Sequence, residues 1–171
     1  MAAIPTIETS RLTLTGPTST DFPDIFAMWA DPDVVRFIGG VPFSEEDTWG
    51  RLLKYAGHWQ LLGFGMWVVR DRNGAFVGEV GFFDLHRTIT PALDIPEMGW
   101  VFAKSAHGRG YATEAVTAII GWGEAHFGGR PFSCIIDEGN TASLRVAEKC
   151  GFRERTRTLY KGTPVVMLRR G

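Results

Sequence analysis

Ala103-Lys-Ser-Ala-His107-Gly108-Arg109-Gly110-Tyr111-Ala112-Thr113-Glu114-Ala115 reads as a strand end, a glycine-bearing turn and a helix that opens at once. Main-chain N–H groups at such a turn and in the first turn of a helix converge with partial positive charge, which suits an anion. Gly108 and Gly110 lack the Cβ atoms that would hold a pyrophosphate off the main chain or forbid positive φ. The stretch therefore predicts a phosphate cradle. Neither a P-loop ending in Gly-Lys-Ser/Thr nor a G-x-G-x-x-G run opening a βαβ unit is present, so the nucleotide chemistry is of another kind. The competing reading is an ordinary glycine turn ahead of a core helix.

Two further segments weigh against that. In Asn140-Thr-Ala-Ser143-Leu-Arg-Val-Ala147-Glu-Lys-Cys150-Gly151-Phe152, Asn140 suits an N-cap and Ser143 falls three residues on. Gly151 suits the left-handed position after the helix, and Phe152 can fold back on Ala147. Near the start, Glu8-Thr9-Ser10-Arg11-Leu12-Thr13-Leu14 alternates like a half-buried strand.

The three segments together resemble the GCN5-related N-acetyltransferases (GNAT). His107-x-x-Gly110-x-Ala112 is similar to motif A of that family, Gln/Arg-x-x-Gly-x-Gly/Ala, with His107 in place of the usual Gln or Arg. The opening segment resembles the Rim-type branch, which includes N-terminal acetyltransferases of ribosomal proteins. The resemblance runs from near the start to Phe152 and implies a single N-acetyltransferase domain over 1–171 that uses acetyl-coenzyme A. It implies a cofactor site built from Val101, Phe102, His107, Gly108, Arg109, Gly110, Tyr111, Ala112 and Thr113, with Asn140 and Ser143 on the pantetheine side. Lys104 and Arg109 are candidates for steadying the phosphates, or plain surface cations.

Acetyl transfer to an amine requires a proton acceptor, a polarised thioester carbonyl and an exit for the thiolate. The strand before motif A is Glu97-Met98-Gly99-Trp100-Val101-Phe102. Period-two alternation sets Glu97, Gly99 and Val101 on one face, and Gly99 is expected to leave space for an amine beside Glu97. Glu97 is the candidate base, or else a solvated residue at the strand start; Glu79, Asp84 and Asp94 are rivals. Many relatives place an acidic tyrosine seven residues after the asparagine, where this chain has Ala147. Ser143, Tyr160 and water remain candidates for that role. The departure keeps open an alternative: a non-catalytic acyl-coenzyme A sensor or interaction module.

Composition agrees. The 171 residues are 44% hydrophobic, enough for one domain with a real core. A net charge of −1 provides no global attraction for nucleic acid or an anionic membrane. No run of apolar residues is long enough for a membrane span, and no basic leader is seen. Cys134 and Cys150 have no metal or disulfide spacing and read as buried thiols of a cytoplasmic protein; the histidines are scattered, so no metal is expected. Six tryptophans make a homodimer plausible.

The element order predicts an α+β fold with a mixed, mostly antiparallel sheet flanked by helices. Strands are expected near 10–15, 65–71, 75–84, 97–103, 131–137, 152–160 and 163–169, with Asp71-Arg72-Asn73-Gly74 as a hairpin turn. Helices are expected at about 20–30, from Ser44, after Gly110 and after Asn140. Trp49, Leu52, Leu53, Ala56 and Trp59 form one expected core stripe; Ala115, Ala118, Ile119, Trp122 and Ala125 form another. The acceptor is expected to enter beside the first two helices, near Trp67, Phe82 and Phe83, residues that also suit a plain core. The acidic run Glu45-Glu46-Asp47 suits a cationic acceptor less well than it suits the helix dipole.

Overall fold

The turn at Asp71-Arg72-Asn73-Gly74 forms as the sequence marks it: the Asp71 carboxylate accepts the N–H groups of Asn73 and Ala75 at 2.9 and 3.0 Å. Gly74 takes φ +81° there. The turn joins β3 (Met66–Asp71) to β4 (Phe76–Phe83). In this computed structural model, which describes residues 3–171, the other strands are β1 (Ile7–Glu8), β2 (Leu12–Thr15), β5 (Glu97–Phe102), β6 (Phe132–Asp137), β7 (Arg153–Tyr160) and β8 (Thr163–Arg170). All eight join one sheet in the order β1-β2-β3-β4-β5-β6-β8-β7. Every pair is antiparallel except β5 with β6. A parallel pair needs a crossover, and α4 (Tyr111–His126) supplies it. This is the expected α+β fold with a mixed, mostly antiparallel sheet.

The helices divide between the two faces. On one face α4 lies over Trp67, Phe82 and Phe132, joined by α5 (Thr141–Lys149) through Ala147. Gly123 allows that approach: a Cβ there would stand 2.5 Å from the Phe82 ring. On the other face α1 (Phe22–Trp29), the short α2 (Pro32–Val35) and α3 (Glu45–Leu62) cover Val68 and the far side of β4 and β5.

Several sequence expectations shift. The opening segment is not one strand: β1 turns through Thr9–Arg11 and pairs back on β2. The buried stripe of α3 is Thr48, Leu52 and Tyr55, while Trp49 and Leu53 are 41% and 55% exposed and Ala56 is also exposed. The helix is rotated toward Tyr55 because its hydroxyl has a buried partner on the sheet, which outweighs the apolar count. In α4 the stripe runs through Tyr111, Ala115, Val116, Ile119, Ile120 and Gly123, and Ala125 is exposed. The α5 helix ends as its sequence indicates: Phe152 N–H donates to the Ala147 carbonyl and Gly151 N–H to that of Glu148, both at 3.0 Å, with Gly151 at φ +87°.

Candidate functional site

The parallel strands β5 and β6 touch at one register pair, Glu97 with Ser133, where Ser133 N–H donates to the Pro96 carbonyl at 2.9 Å. Beyond it they diverge toward their C-terminal ends. The sheet is thereby split into a wedge whose apex is at Glu97. Its mouth lies between the loop that opens α4 and the start of α5. A cavity of about 560 Å³ occupies the wedge, walled by Met98–Val101 on one side and Cys134–Asp137 on the other, and it continues under α1 and α3. By alternation along β5, the main-chain groups of Trp100 point across the split, away from β4.

At the mouth, Gly108 and Gly110 take φ +73° and +76°, and Gly110 is the left-handed residue from which α4 starts. A Cβ on Gly108 would meet nothing within 4 Å, so the cradle is open space bounded by main chain. The residues fit a pyrophosphate: glycines at positive φ, followed by the unpaired N–H groups of a sixteen-residue helix. The His107 ring turns inward, its Nε2 3.0 Å from the Phe102 carbonyl, leaving main chain at the cradle. Arg109 lies over the Tyr111 ring at 4.5 Å, and Lys104 pairs with Asp33. Tyr111 and Phe102 are buried, Ala112 packs on the core, and Thr113 borders a shallow groove with Gly110.

The opening segment is tied to this loop. Thr9 and Ser10 hydroxyls and the Arg11 N–H all donate to Glu114 Oε1, at 2.6, 3.1 and 2.9 Å, while Arg11 Nε donates to Oε2. Arg11 also donates to the Arg109 carbonyl at 2.8 Å. Burial alone would raise the Glu114 pKa; these hydrogen bonds outweigh it and hold it down at about 2. Two segments that the sequence offered separately thus form one support.

On the far side of the mouth, Asn140 caps α5, its Oδ1 accepting Ser143 N–H at 3.1 Å, and Asn140, Ser143 and Val101 all border the cavity. At the apex Glu97 is buried, with Arg87 Nε–H shared between its two oxygens at 3.0 and 2.8 Å. Burial raises the Glu97 pKa, and Arg87 opposes without cancelling it. Arg87 also stands 4.9 Å from the Tyr160 ring centroid. It rides on a loop pinned by Ile89 against Val165 and Met167. The β4–β5 register runs without a shift, so Glu97, Gly99 and Val101 do share a face. The expected space over Gly99 is filled by Phe83, whose ring would be 2.4 Å from a Cβ there. Trp67 and Phe82 lie in the α4-side core, and of the three aromatics only Phe83 reaches the cavity.

Glu79 is fully buried one layer beneath the wall. Trp29 Nε1–H and the Tyr55 hydroxyl both donate to its Oε2 at 3.0 Å, while Oε1 has no partner. Burial pushes its pKa up to about 7, against the pull of those donors and of Arg51. Arg51 stands over the Trp29 ring, its Cζ 3.8 Å from the ring centroid. Sequence reading ranked Glu79 low and missed Arg51 and Arg87, because their partners sit on other elements. Ala147 is buried in the α4-side core and does not border the cavity. Among the described residues, no group of three or more His, Cys, Asp or Glu side chains stands together for a metal.

A mixed sheet split between two parallel strands, with an anion cradle at the mouth of the split, defines the class: an acetyltransferase-type α+β domain. The acetyltransferase (GNAT) domain family matches residues 11–153, and the chain belongs to that family. YkkB of Bacillus subtilis (strain 168) is 30% identical over 151 residues, covering 84% of this chain and 82% of YkkB. A GnaT-family acetyltransferase from Bordetella pertussis is also 30% identical and superimposes with a TM-score of 0.87, covering 98% of this chain and 99% of the other. Spermidine N-acetyltransferase from Vibrio cholerae, solved with CoA and spermine, shares the fold at 18% identity and a TM-score of 0.75, over 94% of this chain and 95% of the other.

Proposed function

We propose that the chain transfers an acetyl group from acetyl-coenzyme A to a primary amine by direct attack. The observation that carries the reading is the wedge between β5 and β6, with the cradle of residues 107–113 at its mouth and a carboxylate at its apex. The spermidine enzyme's complex with CoA and spermine supports both donor and acceptor class by fold likeness. Gly108, Gly110 and the first N–H groups of α4 would hold the pyrophosphate, with His107, Arg109, Tyr111, Ala112 and Thr113 shaping the cradle. Asn140 and Ser143 would face the pantetheine arm, and Val101 and Phe102 would form the strand beside it. The donor supplies an activated thioester; the chain orients it and handles the proton.

Glu97 takes the proton from the acceptor nitrogen, directly or through a water, and Arg87 keeps its carboxylate aimed at the apex. Trp100 N–H, pointing across the split, stabilises charge developing on the carbonyl oxygen. The departing thiolate takes a proton from Ser143, Tyr160 or water, both side chains bordering the cavity. We place the enzyme in the cytoplasm, in keeping with two free cysteines and no helix among the described residues long and apolar enough to cross a membrane. The likeness of Glu8-Thr9-Ser10-Arg11-Leu12-Thr13-Leu14 to the opening of the Rim-type branch supports placement there. A homodimer would be read by light scattering.

Amine-dependent thiol release tests the reading. Glu97→Gln is expected to lower kcat by about a hundredfold or more while leaving the acetyl-coenzyme A KM unchanged. Acetyl-coenzyme A binding without thiol release on any amine would instead favour the sensor alternative, for which the buried Ala147 in place of a tyrosine is the motivating observation.

A further inference from the structure

Where the cavity leaves the wedge and runs under α3, its wall is basic. Arg51 and Lys54 border it there, Arg87 and Glu97 neutralise each other, and the remaining charges of the lining are Lys161 and Asp137. Arg51 joins no ion pair among the described residues, in contrast to Arg70, which is held by Asp21 and Asp24. Its Nη1 donates to the Tyr55 hydroxyl at 3.3 Å and its Nε is buried without a partner. Trp29 and Phe43 hold the guanidinium, its Cζ 3.8 and 4.9 Å from their ring centroids. A cation held in orientation, partly withdrawn from water and without a direct salt bridge favours the arrival of an anion. Glu79 forms no salt bridge with Arg51 and reaches it only through the Tyr55 hydroxyl, which accepts from Arg51 and donates to Glu79. The acidic first turn of α3 does not border the cavity; Ser44 and Asp47 cap each other there.

The pyrophosphate cradle does not account for this charge. It opens α4, which packs on one face of the sheet, whereas Arg51 and Lys54 come from α3 on the opposite face and Arg87 stands at the apex with Glu97. The basic wall therefore belongs to the acceptor end.

Resting on the N-acetyltransferase reading above, we infer that the acceptor is a small amine that also carries an anionic group, a carboxylate, which Arg51 receives with Lys54 at the rim. The planar guanidinium fork matches a carboxylate, and its seat over Trp29 reduces the ordering cost of binding it. A polyamine would bring added positive charge against this wall.

The test is kcat/KM by thiol release for L-amino acids against their carboxamides, O-phosphoethanolamine against ethanolamine, and spermidine. The expected result is a preference of about tenfold to a hundredfold for the anionic member of a pair. Arg51→Gln should collapse that preference by raising the acceptor KM, with the acetyl-coenzyme A KM unchanged. Lys54→Met, at an exposed position, should weaken it in the same direction even if Arg51→Gln folds poorly. Preference within the phosphate pair alone would keep the anionic requirement and overturn the carboxylate. Equal or better use of spermidine, ethanolamine or the carboxamides would overturn the inference. So would thiol release on none of the anionic amines by a protein that acetyl-coenzyme A still protects from melting. Loss of that protection in the wild-type chain would instead overturn the acetyltransferase reading on which the inference rests.

Discussion

Glu79 binds a proton more tightly folded than unfolded, because burial raises its pKa to about 7 from an ordinary 4.5. Between those values unfolding releases a proton, so this group's contribution to stability falls as pH rises from about 4.5 to 7 and then levels off. Glu79→Gln keeps an oxygen for Trp29 and Tyr55 but has no charge to bury. Its stability relative to wild type should rise by about 3 kcal/mol between pH 5 and pH 8, read from urea unfolding at both values. A constant difference would mean that Glu79 stays ionised throughout. The sign is reversed for Glu114, whose pKa is held at about 2. Its stabilisation is full above about pH 4.5 and is lost as pH falls toward 2. At pH 7 Glu114→Gln should cost about 1–2 kcal/mol, a gap that closes in acid melts. Neither behaviour was legible in the sequence. Glu79 alternates with apolar neighbours like any strand residue, and its donors Trp29 and Tyr55 lie fifty and twenty-four residues away. The cradle glycines were legible because positive φ and a helix start are local properties.

The elements show what local pattern decides and where tertiary partners take over. Turn and cap chemistry located the β3–β4 hairpin and both ends of α5. The α3 stripe was misread because Thr48 and Tyr55 face inward while Trp49 stays outside, where it packs edge-on against Phe22 at 5.2 Å. In α4 the small residues do set the helix close to the sheet, but the contact centres on Gly123 rather than on the outlying Ala125. Phe82 cannot retreat from an added side chain at that point, since Phe127 and Phe132 pack on its ring at 5.1 and 5.0 Å. Gly123→Val should therefore destabilise by about 1–3 kcal/mol or more, seen as a lowered melting temperature. An unchanged melt would mean that α4 can lift from β4, and the aim of its N-terminus at the cradle would then be less fixed than the packing implies.

At the scale of the whole molecule, the split between β5 and β6 joins the two halves of the site. The antiparallel half, β1 to β5, brings Glu97 and the α3 cations; the other half, β6 to β8 with α5, brings Asn140, Ser143 and Tyr160. The motif segments of the sequence marked the cradle and the α5 cap that flank this split. The sequence did not convey that Thr9–Arg11 braces the α4 start, since that contact spans more than a hundred residues. In the proposed function this wedge holds an acyl-coenzyme A with its pyrophosphate over residues 107–112. The most direct measurement is a thermal melt titrated with acetyl-coenzyme A, on the wild-type chain and on Gly108→Glu, which puts charge and bulk into the open cradle. At about a hundred times its dissociation constant a ligand adds about 2.7 kcal/mol, which for a chain of this size predicts a saturable rise of about 5–10 °C, lost in Gly108→Glu. No rise in the wild-type chain at millimolar ligand, or an equal rise in the variant, would contradict binding at this cradle.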